Sequence, residues 1–160
     1  MVLAFSRCLE ERTTFRQGFA KEEVMFLPKS DVFKDLRQEA VNEISEVAVE
    51  ESWGEGAVLF SCGDPANYLY LLVEGRAKLG IGDETNTTYV VERLGEAFGW
   101  SSVVGRESYC ASAECLAPTK VLKIDKTDLE KVFDAHERSG RKFYRSLAAS
   151  LGQRLIDMHR

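Results

Sequence analysis

Histidine is nearly absent. The 160 residues contain two, His136 and His159. A metal-dependent enzyme built on a β-barrel draws two or three histidines and a carboxylate from its strands. Both histidines here fall in a C-terminal region of helical pattern, so we set that chemistry aside and expect no metal. Basic charge is not in excess either. Twenty-one Lys and Arg against 26 Asp and Glu give −5 at pH 7, the reverse of the usual nucleic-acid footprint. No apolar run approaches the roughly eighteen residues that span a bilayer. The opening MVLAFSRCLEERTT places acidic residues where a secretion signal needs an apolar stretch. The expected setting is therefore cytoplasmic, without membrane contact. The four cysteines, Cys8, Cys62, Cys110 and Cys115, form no C-x-x-C pair and read as free thiols in a reducing compartment. Cys110 and Cys115, at odd spacing in a β-rich stretch, should point to opposite faces of a continuous strand. No P-loop, dinucleotide fingerprint or Ser–His–Asp arrangement is present, and no catalytic activity is expected.

What remains is globular: 44% apolar and 29% charged residues, long enough for one domain with a real core. No linker or low-complexity stretch divides it. Residues 1–45 read as a helical lead, with Met25, Phe26, Val32, Phe33, Leu36, Val41 and Ile44 near helical spacing. Pro28 should end one short helix, and Ser30 or Asp31 should cap the next.

Residues 46–124 change period. Val47 and Val49 alternate with Glu46, Ala48 and Glu50. Short apolar runs at Val58–Phe60, Tyr68–Val73, Lys78–Ile81, Thr87–Val91 and Val121–Ile124 are separated by Gly- and Asp-rich turns. Such spacing predicts an antiparallel sandwich or barrel. From Thr127 the pattern is helical again. Thr127 or Asp128 should cap a helix bearing Leu129, Val132 and Phe133, and Ser139-Gly140 should break it. The last segment sets Phe143, Leu147, Leu151, Leu155 and Met158 along one stripe. Ala148 and Gly152 lie beside it, small enough to admit a second helix closely. Phe143, Leu147, Ala148, Leu151, Gly152 and Leu155 are accordingly read as a homodimer seam. The basic residues of this segment read as a solvated face.

Helices, then a roll of short strands, then two helices is a layout similar to that of the cyclic-nucleotide-binding domain. The stretch from Trp53 to Gly75, WGEGAVLFSCGDPANYLYLLVEG, resembles that family's glycine-punctuated signature, with Gly56, Gly63 and Gly75 at turns. The resemblance covers about residues 27–160 and is nearest to the sensor half of the cyclic AMP receptor protein and fumarate-nitrate regulator superfamily. It implies a mainly β fold: a double-stranded β-helix, or jelly roll, with N-terminal helices and a long C-terminal helix.

The resemblance also implies a phosphate-binding cassette. There a glutamate receives the ribose hydroxyl, and an arginine nine residues on forks the cyclic phosphate beside helix-terminal N–H groups. The matching segment here is GEAFGWSSVVGRESYCASA, residues 95–113. Phe98-Gly99 fits the lead-in and Cys110-Ala111 fits the close. Trp100 stands where the family has glutamate, and Tyr109 where it has arginine. Losing one charge-assisted bond alone removes roughly 1.5–3 kcal/mol. Arg106, three residues early, reads as a loop arginine. Ser101 and Ser102 could still donate to an anion. Trp100 and Tyr109 have two readings: side chains that fill the pocket as core, or walls for an apolar, aromatic or otherwise uncharged ligand.

The expected function is a non-enzymatic ligand-sensing and signal-transducing module with a degenerate cassette. Its contacts would come from Phe98, Gly99, Trp100, Ser101, Ser102, Tyr109, Cys110 and Ala111. No resident cofactor is expected; a cyclic nucleotide or another small ligand is what the resemblance offers the pocket, and binding of either cyclic nucleotide should be weak or absent. The end of the last helix, near Met158 and His159, would close over it. The alternative is the sensor part of a DNA-binding regulator whose helix-turn-helix is missing or on another chain. With the sequence stopping at Arg160, direct nucleic-acid binding is not expected.

Overall fold

Tyr68–Val73 is apolar at nearly every position, and the architecture explains why. In the computed structural model, which describes residues 27–81 and 88–159 and the backbone of residues 13–15, this run lies in a strand buried on both faces. The strands in chain order are β1 (Thr13–Phe15), β2 (Val49–Trp53), β3 (Val58–Phe60), β4 (Tyr68–Glu74), β5 (Ala77–Gly80), β6 (Thr88–Val91), β7 (Ala97–Phe98), β8 (Ser112–Cys115) and β9 (Thr119–Asp125). The described helices are α1 (Gln38–Val47), α2 (Lys126–Ala135) and α3 (Glu137–Met158), with 3-10 turns at Leu27–Lys29 and Trp100–Val103.

One antiparallel sheet has the order β1-β2-β9-β4-β7 and the other β3-β8-β5-β6. Between them lies a core of Phe60, Tyr70, Leu72, Phe98, Tyr109, Ala113, Cys115 and Val121. Leu69, Leu71, Leu122 and Ile124 point the opposite way, into a second core shared with the helices. Alternate residues of β4 serve different cores, so that strand loses the polar positions a half-exposed strand keeps, whereas β9 keeps Lys120 and Lys123 half-buried between its core residues. This is the jelly roll with flanking helices.

The turn glycines behave as expected: Gly56, Gly63 and Gly75 all have positive φ. The helical lead needs correction. Residues 27–37 form a 3-10 turn, turns and bends, and among the described residues the first regular helix begins at Gln38. Leu27, Val32 and Phe33 are buried nonetheless. Ser30 does accept a bond from Phe33 N–H at 3.0 Å, but it closes a turn and caps no helix. Thr13–Phe15 pairs with β2, Thr14 opposite Glu51. Two β-branched residues and an aromatic suit a sheet edge better than a helix. The other residues of the expected helical lead before Leu27, including Cys8, Met25 and Phe26, lie outside the described residues. The strand region also starts later than residue 46, because α1 runs through Val47.

Two further corrections concern the C-terminal helices. The cap of α2 is Asp125, whose carboxylate accepts from Thr127 N–H at 2.8 Å and Asp128 N–H at 3.2 Å. The break between the helices falls at His136, and Ser139-Gly140 lies inside α3. Ser139 Oγ accepts from Arg37 N–H at 3.2 Å. A Cβ on Gly140 would stand 2.9 Å from Phe133 Cβ. Gly140 is there so that α3 can approach α2. Phe143 then stacks on Phe33 at 5.4 Å and meets Phe133 at 4.9 Å.

Candidate functional site

The cassette-like segment starts where β7 ends. Gly99 turns the chain at φ 73°, and a Cβ there would meet the Tyr68 carbonyl and the Tyr70 ring, each at 3.1 Å. Positive φ and close approach both call for glycine. The following 3-10 turn, Trp100–Val103, spends its own hydroxyls. Ser102 Oγ donates to the Gly99 carbonyl at 2.8 Å, and Ser101 Oγ lies 3.4 Å from Cys110 Sγ. Tyr144 of α3 donates to the Val103 carbonyl at 3.2 Å, tying the long helix to this turn. Arg106 is exposed.

Tyr109 is held at both backbone and ring. Its N–H donates to the Asp64 carbonyl at 3.0 Å, and its carbonyl accepts from Gly63 N–H at 2.9 Å. The Gly63-Asp64 turn therefore sets its position. Its ring stacks on Phe60 with centroids 3.9 Å apart. Its hydroxyl donates to the Tyr68 carbonyl at 2.6 Å and accepts from Tyr68 N–H at 3.1 Å. Burial pushes this phenol up to about 12.

Beside it remains a cavity of about 330 Å³, at the small end of ligand pockets. Phe60, Leu79, Ile81 and Tyr89 form one wall. Gly99 to Ser101 and Tyr109 to Ala111 form another, and Leu151, Arg154, Leu155 and Met158 of α3 close it. Tyr109 thus combines both sequence readings: it is packed as core and its face lines a pocket. Six of the eight anticipated cassette residues line the cavity. Phe98 does not; it is fully buried, stacked on Tyr70 at 5.3 Å. Ser102 does not either, being turned to Gly99. Met158 reaches the pocket, whereas His159 faces out and bonds the Leu155 carbonyl at 2.8 Å.

The stripe on α3 divides. Phe143 and Leu147 are buried in the chain's own core, so they cannot form a seam with another copy. Leu151 and Leu155 line the cavity, and Ala148 and Gly152 are exposed. A stripe stepping by four drifts around a helix of 3.6 residues per turn. The buried row is Phe143, Leu147 and then Arg154, seven residues beyond Leu147.

Arg154 corrects one expectation: with Arg138, Arg141, Lys142, Arg145 and Arg160 it reads in sequence as part of a solvated face, yet it is buried against Glu96, which the sequence did not single out. Glu96 is 1% exposed and Arg154 7%. Arg154 Nη2 lies 3.4 Å from Glu96 Oε1 and donates to the Ala97 carbonyl. Its guanidinium covers the Tyr89 ring at 4.8 Å. Glu96 also accepts from Tyr89 Oη and from the N–H groups of Arg93 at 3.2 Å and Glu92 at 3.4 Å. Arg93 Nε stands 3.7 Å away, with Asp31 paired to Arg93 at 3.6 Å. Burial and the Glu96 carboxylate together raise the Tyr89 phenol. The signal for Arg154 was its place on the apolar row, where an arginine must find a buried carboxylate. Among the described residues no group of histidine, cysteine and carboxylate side chains could hold a metal ion. No described helix is long and apolar enough to cross a membrane. Of the cysteines, Cys62 is exposed, Cys110 precedes β8 so that strand alternation does not apply to it, and burial pushes the Cys115 thiol up.

A jelly roll with a turn-borne pocket closed by a C-terminal helix is a ligand-sensor architecture. The family model for the cyclic nucleotide-binding domain matches residues 50–136, and the chain belongs to that family. It is similar to a Geobacter metallireducens GS-15 protein described as cyclic nucleotide-binding, at 26% identity and TM-score 0.73, covering 86% of this chain and 99% of that one. The sensor domain of the transcriptional regulator DNR from Pseudomonas aeruginosa shares the fold, at 17% identity and TM-score 0.68, over 85% and 93% of the two chains. A Rhodopseudomonas palustris protein named as a potassium channel, RPA4233, is 23% identical over 78% of this chain, which spans 30% of that protein's length.

Proposed function

We propose that this chain is a non-enzymatic ligand-sensing module whose pocket takes an uncharged, largely apolar ligand and binds cyclic AMP and cyclic GMP weakly or not at all. One observation carries the reading. Where the family places its phosphate arginine, Tyr109 is stacked on Phe60 and its hydroxyl is hydrogen-bonded to both the N–H and the carbonyl of Tyr68. A cyclic phosphate there would meet a phenol raised well above neutrality and a Ser102 hydroxyl already committed to Gly99. Trp100, half-buried at the edge of the cavity, offers the ribose a ring face in place of a carboxylate. Phosphate recognition needs uncompensated charge or free N–H groups; the Trp100 and Tyr109 side supplies neither, and the charge of Arg154 across the cavity is already met by Glu96.

The similarity to a regulator's sensor domain supports a relay from this pocket to a partner through α3, including the reading in which a DNA-binding part lies elsewhere. Leu155, Ile156 and Met158 are exposed at the end of α3, and a homodimer contact belongs there, with Ala148 and Gly152 at closest approach. Calorimetric titration with both cyclic nucleotides tests the ligand reading, on the wild type and on Trp100→Glu with Tyr109→Arg. We expect no submicromolar response from the wild type. Submicromolar binding of either nucleotide by the wild type overturns the reading; a response confined to the double variant supports it.

A further inference from the structure

Among the described residues, Arg154 Nε is the one buried side-chain nitrogen or oxygen without a hydrogen-bond partner. The residue is 7% exposed and lines the cavity. Its other bonds run from Nη2, to the Ala97 carbonyl and to Glu96. A buried donor left unmade is costly, and a site that contains one selects ligands that can complete it.

The charges around it decide what kind of acceptor fits. Glu96 faces Arg154 and Arg93, and Arg93 also faces Asp31. Two carboxylates and two guanidinium groups leave this cluster neutral. An anion entering the pocket would bring an uncompensated charge against Phe60, Leu79, Trp100 and Leu151, which is far dearer than a neutral acceptor. Resting on the pocket reading above, we infer that Arg154 Nε selects an uncharged aromatic or other apolar ligand carrying one carbonyl-type acceptor. Water does not reach Nε, so the acceptor arrives only with a ligand that moves covering side chains aside. Leu155 and Met158, 60% and 45% exposed beside Arg154 on the helix, are the ones with room to move.

Three probes of one shape test this: acetylnaphthalene, naphthoate and ethylnaphthalene. Each is titrated into the whole chain by calorimetry while the Arg154 Nε–H and Trp100 resonances are followed by NMR. The ketone should bind about tenfold or more tightly than the hydrocarbon, the margin of one hydrogen bond to a charged donor. It should also bind more tightly than the carboxylate, and it should shift the Arg154 Nε–H signal. Arg154→Lys keeps a cation beside Glu96 and lacks an Nε–H, so it should erase the ketone's margin while leaving the hydrocarbon's affinity. Should that variant fail to fold, the wild-type Nε–H shift decides. Naphthoate binding as well as the ketone, or the ketone matching the hydrocarbon, overturns the role of Arg154; Trp100 shifts in the same titration would leave the pocket reading standing. If no probe binds, both fall.

Discussion

The hydroxyl of Tyr109 is clasped by a single residue: it donates to the Tyr68 carbonyl at 2.6 Å and accepts from the Tyr68 N–H at 3.1 Å. These two bonds join the cassette-like segment to the first residue of β4, 41 positions apart in sequence. Tyr109→Phe keeps the stack on Phe60 and removes both bonds. Chemical denaturation should show a loss of about 1–3 kcal/mol, the cost of leaving buried backbone groups unmade. A second signature lies at high pH. The folded phenol titrates at about 12, above its usual value of about 10. Folding therefore favours the neutral form. That contribution, about 2–3 kcal/mol in full, is present below pH about 10 and is lost as pH rises from there through about 12. The wild type should lose stability across this window more steeply than Tyr109→Phe. Parallel curves would show that the phenol is not held in its neutral form.

The sequence carried the roll but not the electrostatics of the pocket. Turn glycines and short apolar runs are local signals, and Gly63-Asp64 to Tyr68 is enough to locate β4. The proposed match of Trp100 and Tyr109 to the family's charged positions rests on counting along the chain from the resemblance. What stayed hidden depends on contacts between distant residues. Thr13–Phe15 is a strand because β2 offers it an edge. Gly140 is a contact point because Phe133 lies across from it. Glu96 and Arg154, 58 positions apart (154 minus 96), are each unremarkable in sequence and become buried partners only when α3 folds back on β7.

That partnership makes the second prediction. Glu96 and Arg154 are both buried, so removing either strands the other. Glu96→Gln or Arg154→Met alone should cost about 3–5 kcal/mol, the range for breaking a buried pair. The double variant should cost clearly less than the sum, because its second substitution removes a charge already uncompensated. Denaturant midpoints of the four proteins give the coupling directly. Additive costs would mean that the two side chains do not depend on each other, and that Arg93 suffices for Glu96.

Two glycines of α3 should respond in opposite ways to the same methyl group. Alanine is the better helix former by about 1 kcal/mol, so propensity alone favours both substitutions. At Gly140 the new Cβ would lie 2.9 Å from Phe133 Cβ, which cannot swing away, and 3.2 Å from its Cγ. Overpacking of this kind costs about 1–3 kcal/mol, so Gly140→Ala should lower stability or at best leave it unchanged. At Gly152 nothing lies within 4 Å. Gly152→Ala should therefore stabilise the single chain by about 0.5–1 kcal/mol. In the homodimer proposed for the end of α3, however, Gly152 sits at the closest approach, and the added methyl should weaken association while it strengthens the fold. Leu155→Glu should also dissociate the dimer without unfolding the chain, since Leu155 is 60% exposed. A charge at Leu147 would confuse the two effects, because Leu147 is buried in the core. Sedimentation reads association and denaturant melting reads the fold, on the same samples. A wild type already monomeric at high micromolar concentration would remove the dimer, and Gly152→Ala would then report helix propensity alone.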